Sequence, residues 1–439
     1  MYRLKSPLAA QLEITNQCNN SCLHCYNYWR YTETGKKLSK DNPRYNLEHF
    51  QALLANLITQ EVRTLTLTGG EPFLRRDVLF PLIATAKRAG MKVGVNTNGA
   101  LIKDGDASML KELATDFVLV SLLSDEPNMH NWLASSKSHE HTSRAMSRLI
   151  KAGLYVSANM VVTAHNFTRV RQTAMYIKDL GLNSFSATPI LPCPLALRHK
   201  DLLLVPEQVK SVLDDLLWVG NLGLEVDVLE PIVHCLFNED ERTRFAKFLD
   251  HRSCSAGISD MVISPSGDVR PCIMATETYG NLIRDGWGKV WANLSKWSDS
   301  ALLPTDCLNC SLVDECGGGC RIAAFAISGK INSNDPYMTG PLNLPPASVS
   351  PNLTTALKTE MEICLPNAVL LREEDFGSVI FSGRRFMFLD RDGTQILKFI
   401  KCRGTLTLKC LLDEFEVNER ELTNYIGTLI SHGFIIYKG

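Results

Sequence analysis

The first half of the chain alternates between short apolar runs and longer amphipathic stretches. Between residue 10 and about residue 230, six runs have the length and composition of strands: AQLEIT, TLTLTG, KVGVNTNG, FVLVSLL, YVSANMVVT and SFSATPI. The stretches between them, such as NLEHFQALLANLITQE and VLFPLIATAKRAG, place apolar residues at helical spacing. Repeated strand–helix units predict a parallel α/β sheet, either doubly wound or barrel-like. In such barrels the chemistry lies at the carboxyl ends of the strands.

The pattern changes twice in the second half. From 231 to 340 the alternation fades, and cysteine, glycine and turn residues dominate; TGPLNLPPASVSPN, at 339–352, has the composition of a linker. Three strand-like runs (NAVLLRE, GSVIFSG and RFMFLD) then precede three helical ones (DGTQILKFIKC, TLKCLLDEF and NERELTNYIGTLISHGF). This order predicts a small winged-helix-like α+β domain. We therefore expect an α/β domain at 1–230, a cysteine-rich domain at 231–340, a linker at 341–363 and a last domain at 364–439.

Composition narrows the function. The 439 residues are 45% hydrophobic and 21% charged, and the net charge of −1 does not favour binding to nucleic acid or to an anionic membrane. No apolar run reaches the ~18 residues of a spanning helix, and the N-terminus lacks the apolar core of a secretory signal. We therefore expect a cytoplasmic protein. In that compartment, fourteen cysteines, nine of them in tight groups, favour metal or redox chemistry over disulfides.

Three of these cysteines form a tight N-terminal group. Cys18, Cys22 and Cys25 follow the first predicted strand directly, in the spacing C-x3-C-x2-C. A [4Fe–4S] cluster has four irons, so three thiolates would leave one iron free to bind a substrate or cofactor. A zinc site completed by His24 or by a distant ligand is the alternative interpretation.

This group resembles the cluster-binding motif of the radical S-adenosylmethionine (SAM) superfamily. CNNSCLHC follows one strand and LTLTGGEP contains the next, and the resemblance covers about 220 residues of a partial (β/α)6 TIM-like barrel. It implies that Cys18, Cys22 and Cys25 hold a [4Fe–4S] cluster whose fourth iron binds SAM. It also implies contacts to the amino group of SAM from Gly69, Gly70 and Glu71, and contacts to its adenine, sugar or carboxylate from His24, Ser121 and Asn159.

A second group of cysteines lies in the segment 231–340. Cys254 and Cys272 are followed by the run C-x2-C-x5-C-x3-C, whose paired spacings by themselves suit zinc. The full pattern resembles the SPASM extension of peptide-modifying radical SAM enzymes, which implies two auxiliary [4Fe–4S] clusters. By that resemblance the ligands of the first are Cys254, Cys272 and Cys320, and those of the second are Cys307, Cys310 and Cys316.

Each auxiliary cluster lacks an evident fourth ligand. Where the SPASM pattern has a further cysteine after DPY, this chain has Met338, whose thioether is a poor ligand for ferric iron. The candidates for the fourth ligand of the second cluster are Asp335, Met338 and Cys364; alternatively that cluster has an open iron or is absent. For the first cluster, Cys235 is the candidate.

The last segment resembles PqqD, the small peptide chaperone of pyrroloquinoline quinone biosynthesis, over about 75 residues. The resemblance implies a recognition element that binds the leader of a ribosomally made peptide by adding it as a strand to an exposed sheet edge. RRFMFLD is the predicted edge strand. Its predicted peptide-binding residues are Arg385, Phe386, Met387, Phe388 and Leu389. A DNA-binding winged helix is the alternative, but TLKCLLDEFEVNERE is mixed to acidic, which disfavours DNA.

Together the resemblances imply a radical SAM maturase of a ribosomally synthesised precursor peptide. Its cofactors would be SAM, one radical SAM [4Fe–4S] cluster and one or two auxiliary [4Fe–4S] clusters. Its partners would be the precursor peptide and a reductant such as flavodoxin or ferredoxin. A 5′-deoxyadenosyl radical would take a hydrogen from the core peptide, and a crosslink (carbon–carbon, carbon–oxygen or thioether) is the expected outcome.

Other outcomes stay open. Cys193, just beyond the sixth strand, is a candidate hydrogen donor for a peptide epimerase. A sulfatase-maturing or haem-modifying enzyme needs no leader-binding module, so the last domain disfavours both. A non-catalytic iron–sulfur electron carrier, from a different class of protein, would bind no SAM.

Overall fold

The computed structural model divides the chain into two compact units. One contains Ser6–Asn343, and the other combines Met1–Lys5 with Leu344–Gly439. The structure describes residues 3–30, 45–250, 253–298, 300–343, 358–382 and 385–438.

The first unit contains a nine-stranded sheet, counted over the described ranges. Its strands are β1 (Ala9–Glu13), β2 (Thr64–Thr68), β3 (Lys92–Thr97), β4 (Phe117–Ser121), β5 (Val156–Val162), β6 (Ser184–Pro189), β7 (Glu225–Asp227), β8 (Asp260–Ile263) and β9 (Val269–Arg270). Strands β1 to β7 pair parallel, each with the next along the chain. Strand β8 pairs parallel with the free side of β1, and β9 pairs antiparallel with β8.

The predicted parallel α/β architecture is confirmed, and the six predicted strands correspond to β1–β6. Strands β7 and β8 were not predicted, because three and four residues are too few to show a hydrophobic pattern. Strand β8 also belongs to the segment 231–340, which the sequence pattern separates from the α/β domain. That segment therefore contributes a strand to the main sheet.

Helices connect the strands and cover the sheet. They are α1 (Leu47–Thr59), α2 (Arg76–Arg88), α3 (Asp104–Glu112), α4 (Pro127–Ala134), α5 (His139–Lys151), α6 (Val170–Asp179), α7 (Pro206–Gly220), α8 (Glu239–Leu249), α9 (Leu282–Asp285), α10 (Trp287–Leu294), α11 (Val313–Cys316) and α12 (Arg321–Ser328). In α1, Asn46 caps the first turn by accepting a hydrogen bond from the backbone N–H of His49 (3.0 Å). The buried face of α1, at helical spacing, consists of Phe50, Leu53, Leu54 and Leu57.

The order of the strands brings the predicted site residues to one edge of the sheet. Parallel strands in sequential order have all their carboxyl ends on the same side. The cysteine triplet follows β1, Gly69 follows β2, Asn98 follows β3 and Cys193 follows β6. Ser121 is the last residue of β4.

The second unit is a small α+β domain. Its strands are β10 (Glu362–Cys364), β11 (Leu370–Glu374), β12 (Gly377–Ser382), β13 (Arg385–Leu389), β14 (Thr405–Thr407) and β15 (Ile436–Lys438), and its helices are α13 (Arg391–Arg403), α14 (Leu408–Glu414) and α15 (Glu419–Ser431). Strands β11, β12 and β13 form an antiparallel meander, while β10 lies between β14 and β15. Helix α13 packs against β12 and β13, and its buried residues include Ile396, Leu397 and Ile400.

The three predicted strands and three predicted helices of this domain are all present. The second sheet was not predicted, since each of its strands has only three residues. Its strand β10 begins at Glu362, and Ile363 is fully buried, so the ordered core starts within the predicted linker 341–363. Residues 344–357 of that linker lie outside the described residues. None of the helices in the described ranges combines the length and apolar character needed to cross a membrane.

Candidate functional site

The loop after β1 holds three thiols in a fixed arrangement. The Cys18 sulfur accepts a hydrogen bond from the Asn20 backbone N–H (3.4 Å), and a turn joins the Cys25 N–H to the Cys22 carbonyl (3.2 Å). The guanidinium of Arg30 donates to the Cys25 sulfur (3.3 Å) and to the Asn20 carbonyl (2.7 Å). Arg30 is buried, so this cation holds both ends of the loop together from inside the protein.

The raised pKa values of Cys18 and Cys22 suit a site that binds iron. Burial raises the pKa of the Cys18 and Cys22 thiols, and for Cys22 the charges of Cys25 and Cys18 raise it further. Bound iron removes this penalty because it neutralises the thiolates. Within the described ranges no three His, Cys, Asp or Glu side chains converge as ligands of a single ion. The thiolates of a cubane cluster each bind a different iron, so they surround a volume instead. The donor set therefore fits a cluster.

Two glycines bring the loop after β2 against the strand that leads to the triplet. Gly70 donates to the Thr15 carbonyl (2.7 Å), and Glu71 donates to the Gln17 carbonyl (2.7 Å). A Cβ at Gly70 would lie 1.8 Å from the Gln17 carbonyl oxygen, and Gly69 has a φ of +126°. Only glycine allows this backbone approach. The predicted role of both glycines toward SAM stays a prediction.

The Glu71 carboxylate points into the protein. It accepts hydrogen bonds from the Thr97 hydroxyl (2.7 Å) and from the backbone N–H groups of Asn98 (2.8 Å) and Phe73 (3.1 Å). Burial raises its pKa. The Asn98 side-chain amide in turn donates to the Cys18 sulfur (3.6 Å). In the structure Glu71 thus orients the loop after β3 toward the cysteines, and a contact of its carboxylate with SAM stays a prediction.

The other predicted SAM-binding residues lie on the same edge or next to the triplet. Nδ1 of His24 is buried and has no hydrogen-bond partner among the described residues, and burial lowers the pKa of His24 to about 4. Its ring is therefore neutral at pH 7. Ser121 and Asn159 are register partners on β4 and β5, and the Asn159 side-chain carbonyl accepts from the Thr188 hydroxyl (2.9 Å).

Cys193, the predicted hydrogen donor, is 1% exposed. Its sulfur accepts a hydrogen bond from the Ala196 backbone N–H (3.4 Å). Burial raises the pKa of its thiol, and the charge of Cys25 adds to this rise, so Cys193 lies on the side of the sheet that holds the triplet. Its role as a hydrogen donor stays a prediction.

The structure brings the first downstream cysteine group together, and its role as a cluster ligand set stays a prediction. Burial raises the pKa of Cys272 to about 12, with the charge of Cys254 as the next cause, and the charges of both raise the pKa of Cys320. The Cys320 sulfur also caps α12 by accepting from the Ala323 N–H (3.4 Å). The charge of Glu230, a residue that sequence reasoning missed, raises the pKa of all three thiols.

The second downstream group surrounds a cavity. The wall of this cavity includes Met338 and Cys235 together with the three predicted ligands, which are Cys307, Cys310 and Cys316. The Met338 sulfur lies 3.8 Å from the Cys307 sulfur. Cys235 was predicted as a ligand of the first cluster, but the structure places it with the second group, because the short 3₁₀ helix His234–Leu236 packs beside Cys316.

Two other candidates for the fourth ligand have different positions. The Asp335 carboxylate is buried and accepts hydrogen bonds from the backbone N–H groups of Cys320 (2.8 Å) and Tyr337 (2.9 Å), so it shapes the chain around the first group. Cys364 lies in β10, in the other compact unit, where it pairs with Thr405 and Ile436.

The predicted peptide-binding residues form strand β13. Within the described residues, β13 pairs with β12 on one side and lies at the edge of its three-stranded sheet. Leu389 is buried in the domain core, whereas Phe386 and Phe388, two residues apart, share one face with their rings 5.4 Å apart. This geometry agrees with the predicted edge strand; leader binding stays a prediction.

Comparison with known proteins finds a family match within the larger unit. Residues 12–191 match the model of the Radical SAM superfamily. This part of the chain is similar to radical SAM domains. The match begins within β1 and ends just after β6, so it includes the cysteine triplet and the Gly69–Gly70 turn. The PqqD-like identity of the last domain stays a prediction.

Several curated proteins are similar to this chain over most of its length. The subtilosin biosynthesis protein AlbA of Bacillus subtilis is 26% identical over 304 residues, 65% of this chain and 59% of AlbA. The chain thus spans about three fifths of that relative. The AdoMet-dependent heme synthase of Oleidesulfovibrio alaskensis is 22% identical, over 74% of this chain and 86% of that protein. Mycofactocin maturase MftC of Mycobacterium tuberculosis is 26% identical, over 76% of this chain and 83% of MftC.

Solved structures show the same fold. Streptococcus suis SuiB bound to the precursor peptide SuiA superposes with a TM-score of 0.61 at 16% identity, covering 76% of each chain. The protein anSMEcpe with bound AdoMet gives a TM-score of 0.58 at 17% identity, covering 75% of this chain and 90% of that one. At these identities the likeness concerns the fold, which in both proteins continues beyond the radical SAM domain.

Proposed function

We propose that this protein is a radical SAM enzyme that modifies a ribosomally synthesised precursor peptide. The observation that carries the proposal is the group of three half-buried thiols at the carboxyl edge of a sheet that matches the Radical SAM model, with the Gly69–Gly70 turn packed against the same segment. The name of AlbA, which refers to biosynthesis of a bacteriocin, and the precursor peptide bound to SuiB support a peptide as the substrate.

The triplet is the proposed ligand set of a [4Fe–4S] cluster. A [4Fe–4S] cluster held by these thiolates would supply the electron for the reductive cleavage of SAM. Arg30 holds the cysteine loop closed and places a positive charge beside Cys25. Asn98 donates to Cys18, and Glu71 fixes the loop that carries Asn98. Hydrogen bonds to a cluster sulfur ligand tune the reduction potential of the cluster. His24, between Cys22 and Cys25 in the sequence, adds no positive charge beside the triplet, because its ring is neutral.

The two downstream cysteine groups are the proposed auxiliary-cluster sites. An auxiliary cluster could accept the electron that remains after a new bond forms in the peptide, which favours a crosslink over epimerisation. The last domain is the proposed leader-binding element, and its edge strand β13 offers main-chain groups for strand addition. A reductant such as flavodoxin or ferredoxin would supply the first electron.

A first experiment tests the radical SAM activity. The full chain, reconstituted anaerobically with iron and sulfide, is incubated with SAM and dithionite, and 5′-deoxyadenosine is quantified. We expect the nucleoside from the wild type and from Cys402→Ala, which changes an exposed cysteine, and none from Cys22→Ala. An iron-loaded wild type that forms no 5′-deoxyadenosine would disprove radical SAM activity.

The peptide substrate is tested by searching for a short reading frame beside the gene and co-expressing any such peptide with the enzyme, followed by mass spectrometry. A crosslink removes two hydrogens from the peptide mass. A peptide mass that is unchanged in H₂O but includes one deuterium after reaction in D₂O would indicate epimerisation instead. Modification of a haem precursor rather than a peptide would contradict the proposed substrate class.

A further inference from the structure

The cavity in the segment 231–340 has four thiols in its wall. Three come from the CLNCSLVDEC run, and the fourth is Cys235, more than seventy residues earlier in the sequence. The three are Cys307, Cys310 and Cys316. All four are free thiols.

Several contacts hold Cys235 at this wall. The backbone N–H of the preceding residue, His234, donates to the Cys316 sulfur (3.5 Å). The buried His234 ring bonds through Nε2 to the Leu249 carbonyl (3.1 Å), which fixes the start of the 3₁₀ helix. The Thr339 hydroxyl donates to the Cys235 carbonyl. A second N–H···S hydrogen bond, from Leu342 to Cys310 (3.4 Å), lies on the same wall. Backbone N–H groups directed at sulfur are a common feature of cluster sites.

The rival ligands are less suitable. Met338 also lines the cavity, but a thioether binds ferric iron poorly. The Asp335 carboxylate accepts two backbone N–H groups and is not part of the cavity wall. Cys364 belongs to the β10 strand of the other unit.

We propose that Cys235 is the fourth thiolate ligand of the second auxiliary cluster. It takes the place of the cysteine that the SPASM pattern has where this chain has Met338. The inference rests on the proposed function in so far as that function includes auxiliary clusters. Four thiolates satisfy all four irons of a [4Fe–4S] cluster and leave none open. The second auxiliary cluster therefore transfers electrons and does not bind the peptide through an iron.

A footprint of the cysteines in the full chain tests this directly. The reconstituted protein and the same protein after iron removal by a chelator are alkylated anaerobically with iodoacetamide, without denaturant, and each cysteine is quantified by peptide mass spectrometry. We expect Cys235 to be protected at least tenfold in the iron-loaded protein, as Cys307 and Cys310 are. The exposed Cys402 and Cys410 should react equally in both preparations and serve as internal controls. Equal alkylation of Cys235 with and without iron would overturn the inference.

Two matched variants give an independent readout. Cys235→Ala should lose about four irons and four sulfides per chain, or keep them with an altered electron paramagnetic resonance spectrum of one cluster. Met338→Leu should change neither quantity. The reverse result, with Cys235→Ala unchanged and Met338→Leu altered, would overturn the inference in favour of the thioether.

The outcomes separate this inference from the proposed function. If the iron-loaded chain cleaves SAM but Cys235 is alkylated freely, only the ligand assignment fails. If Cys235 is protected by iron and no 5′-deoxyadenosine forms, the ligand assignment is supported and the enzymatic proposal fails.

Discussion

At the residue scale, a buried ion pair anchors the end of β1 just before the cysteine triplet. Glu13 and Arg270 are both fully buried and bonded to each other, and the Asn27 amide donates to Glu13 (3.4 Å). Burial raises the pKa of the Glu13 carboxyl, and the charge of Arg270 opposes that rise. The Arg270 guanidinium also lies 5.4 Å from the centre of the Trp29 ring. These contacts tie the residues on both sides of the triplet to β9.

Replacing Arg270 by Met should be strongly destabilising, because it leaves Glu13 buried without its partner. We expect a loss of about 3–5 kcal/mol in the free energy of unfolding, measured by urea denaturation of the apoprotein at pH 7. The matched control is Arg284→Met, since Arg284 forms a surface pair with Asp285. Its effect should be far smaller, because water and salt screen an exposed pair. Equal effects of the two substitutions would show that the buried pair has no special role.

At the scale of elements, His130 joins helix α4 to the end of β4. Its Nδ1 accepts a hydrogen bond from the Leu123 backbone N–H (3.2 Å), so Nε2 carries the proton and donates to the Ser138 hydroxyl (3.1 Å). The residue is 2% exposed, and burial, followed by the charge of His139, lowers its pKa to about 3. Protonation would break the bond to Leu123 and loosen the helix from the strand.

This joint predicts a pH dependence of stability. Between pH 6.5, the ordinary pKa of histidine, and about pH 3, the unfolded chain binds a proton at His130 that the native protein does not. Stability therefore falls as the pH is lowered through this window, by up to about 1.4 kcal/mol per unit for this residue. His130→Gln should lose that part of the slope, as measured by urea unfolding at pH 7 and pH 5. An unchanged slope in the variant would contradict the assignment.

At the scale of the whole molecule, the chain separates its two proposed tasks. The cysteine triplet and both downstream cysteine groups belong to the unit Ser6–Asn343. The edge strand β13 belongs to the other unit, which also includes the N-terminal residues up to Lys5. A separate unit with its own core can retain the leader while the core peptide reacts elsewhere.

This separation predicts selective inhibition by the free leader. In the reconstituted full chain, an excess of a peptide containing only the leader of the co-expressed precursor should block modification of that precursor at least tenfold. It should not reduce the 5′-deoxyadenosine formed without precursor, because the proposed SAM site lies in the unit Ser6–Asn343. A scrambled leader is the control. Inhibition of SAM cleavage by the leader itself would show that the two tasks are not separate.

Much of the fold was predictable because its strands are long enough to show a pattern. Strands β1–β6 each have five to seven residues, whereas β7 and β8 have three and four and gave no signal. The site was predictable where the ligands are close in sequence, as in the triplet. The roles of Arg30, Asn98 and Arg270 were missed, since a single Arg or Asn outside a motif has no distinguishing context in the sequence.

The sequence by itself determined the parallel α/β domain, the spacing of the N-terminal thiols and the presence of methionine instead of cysteine at position 338. Each of these depends on residues that are neighbours along the chain. Only the tertiary structure decided which distant groups meet. It turned the Glu71 carboxylate toward Thr97 and Asn98, added β8 to the main sheet, and placed Cys235 beside Cys316. These contacts join residues far apart in sequence, and their geometry depends on packing that no local pattern records.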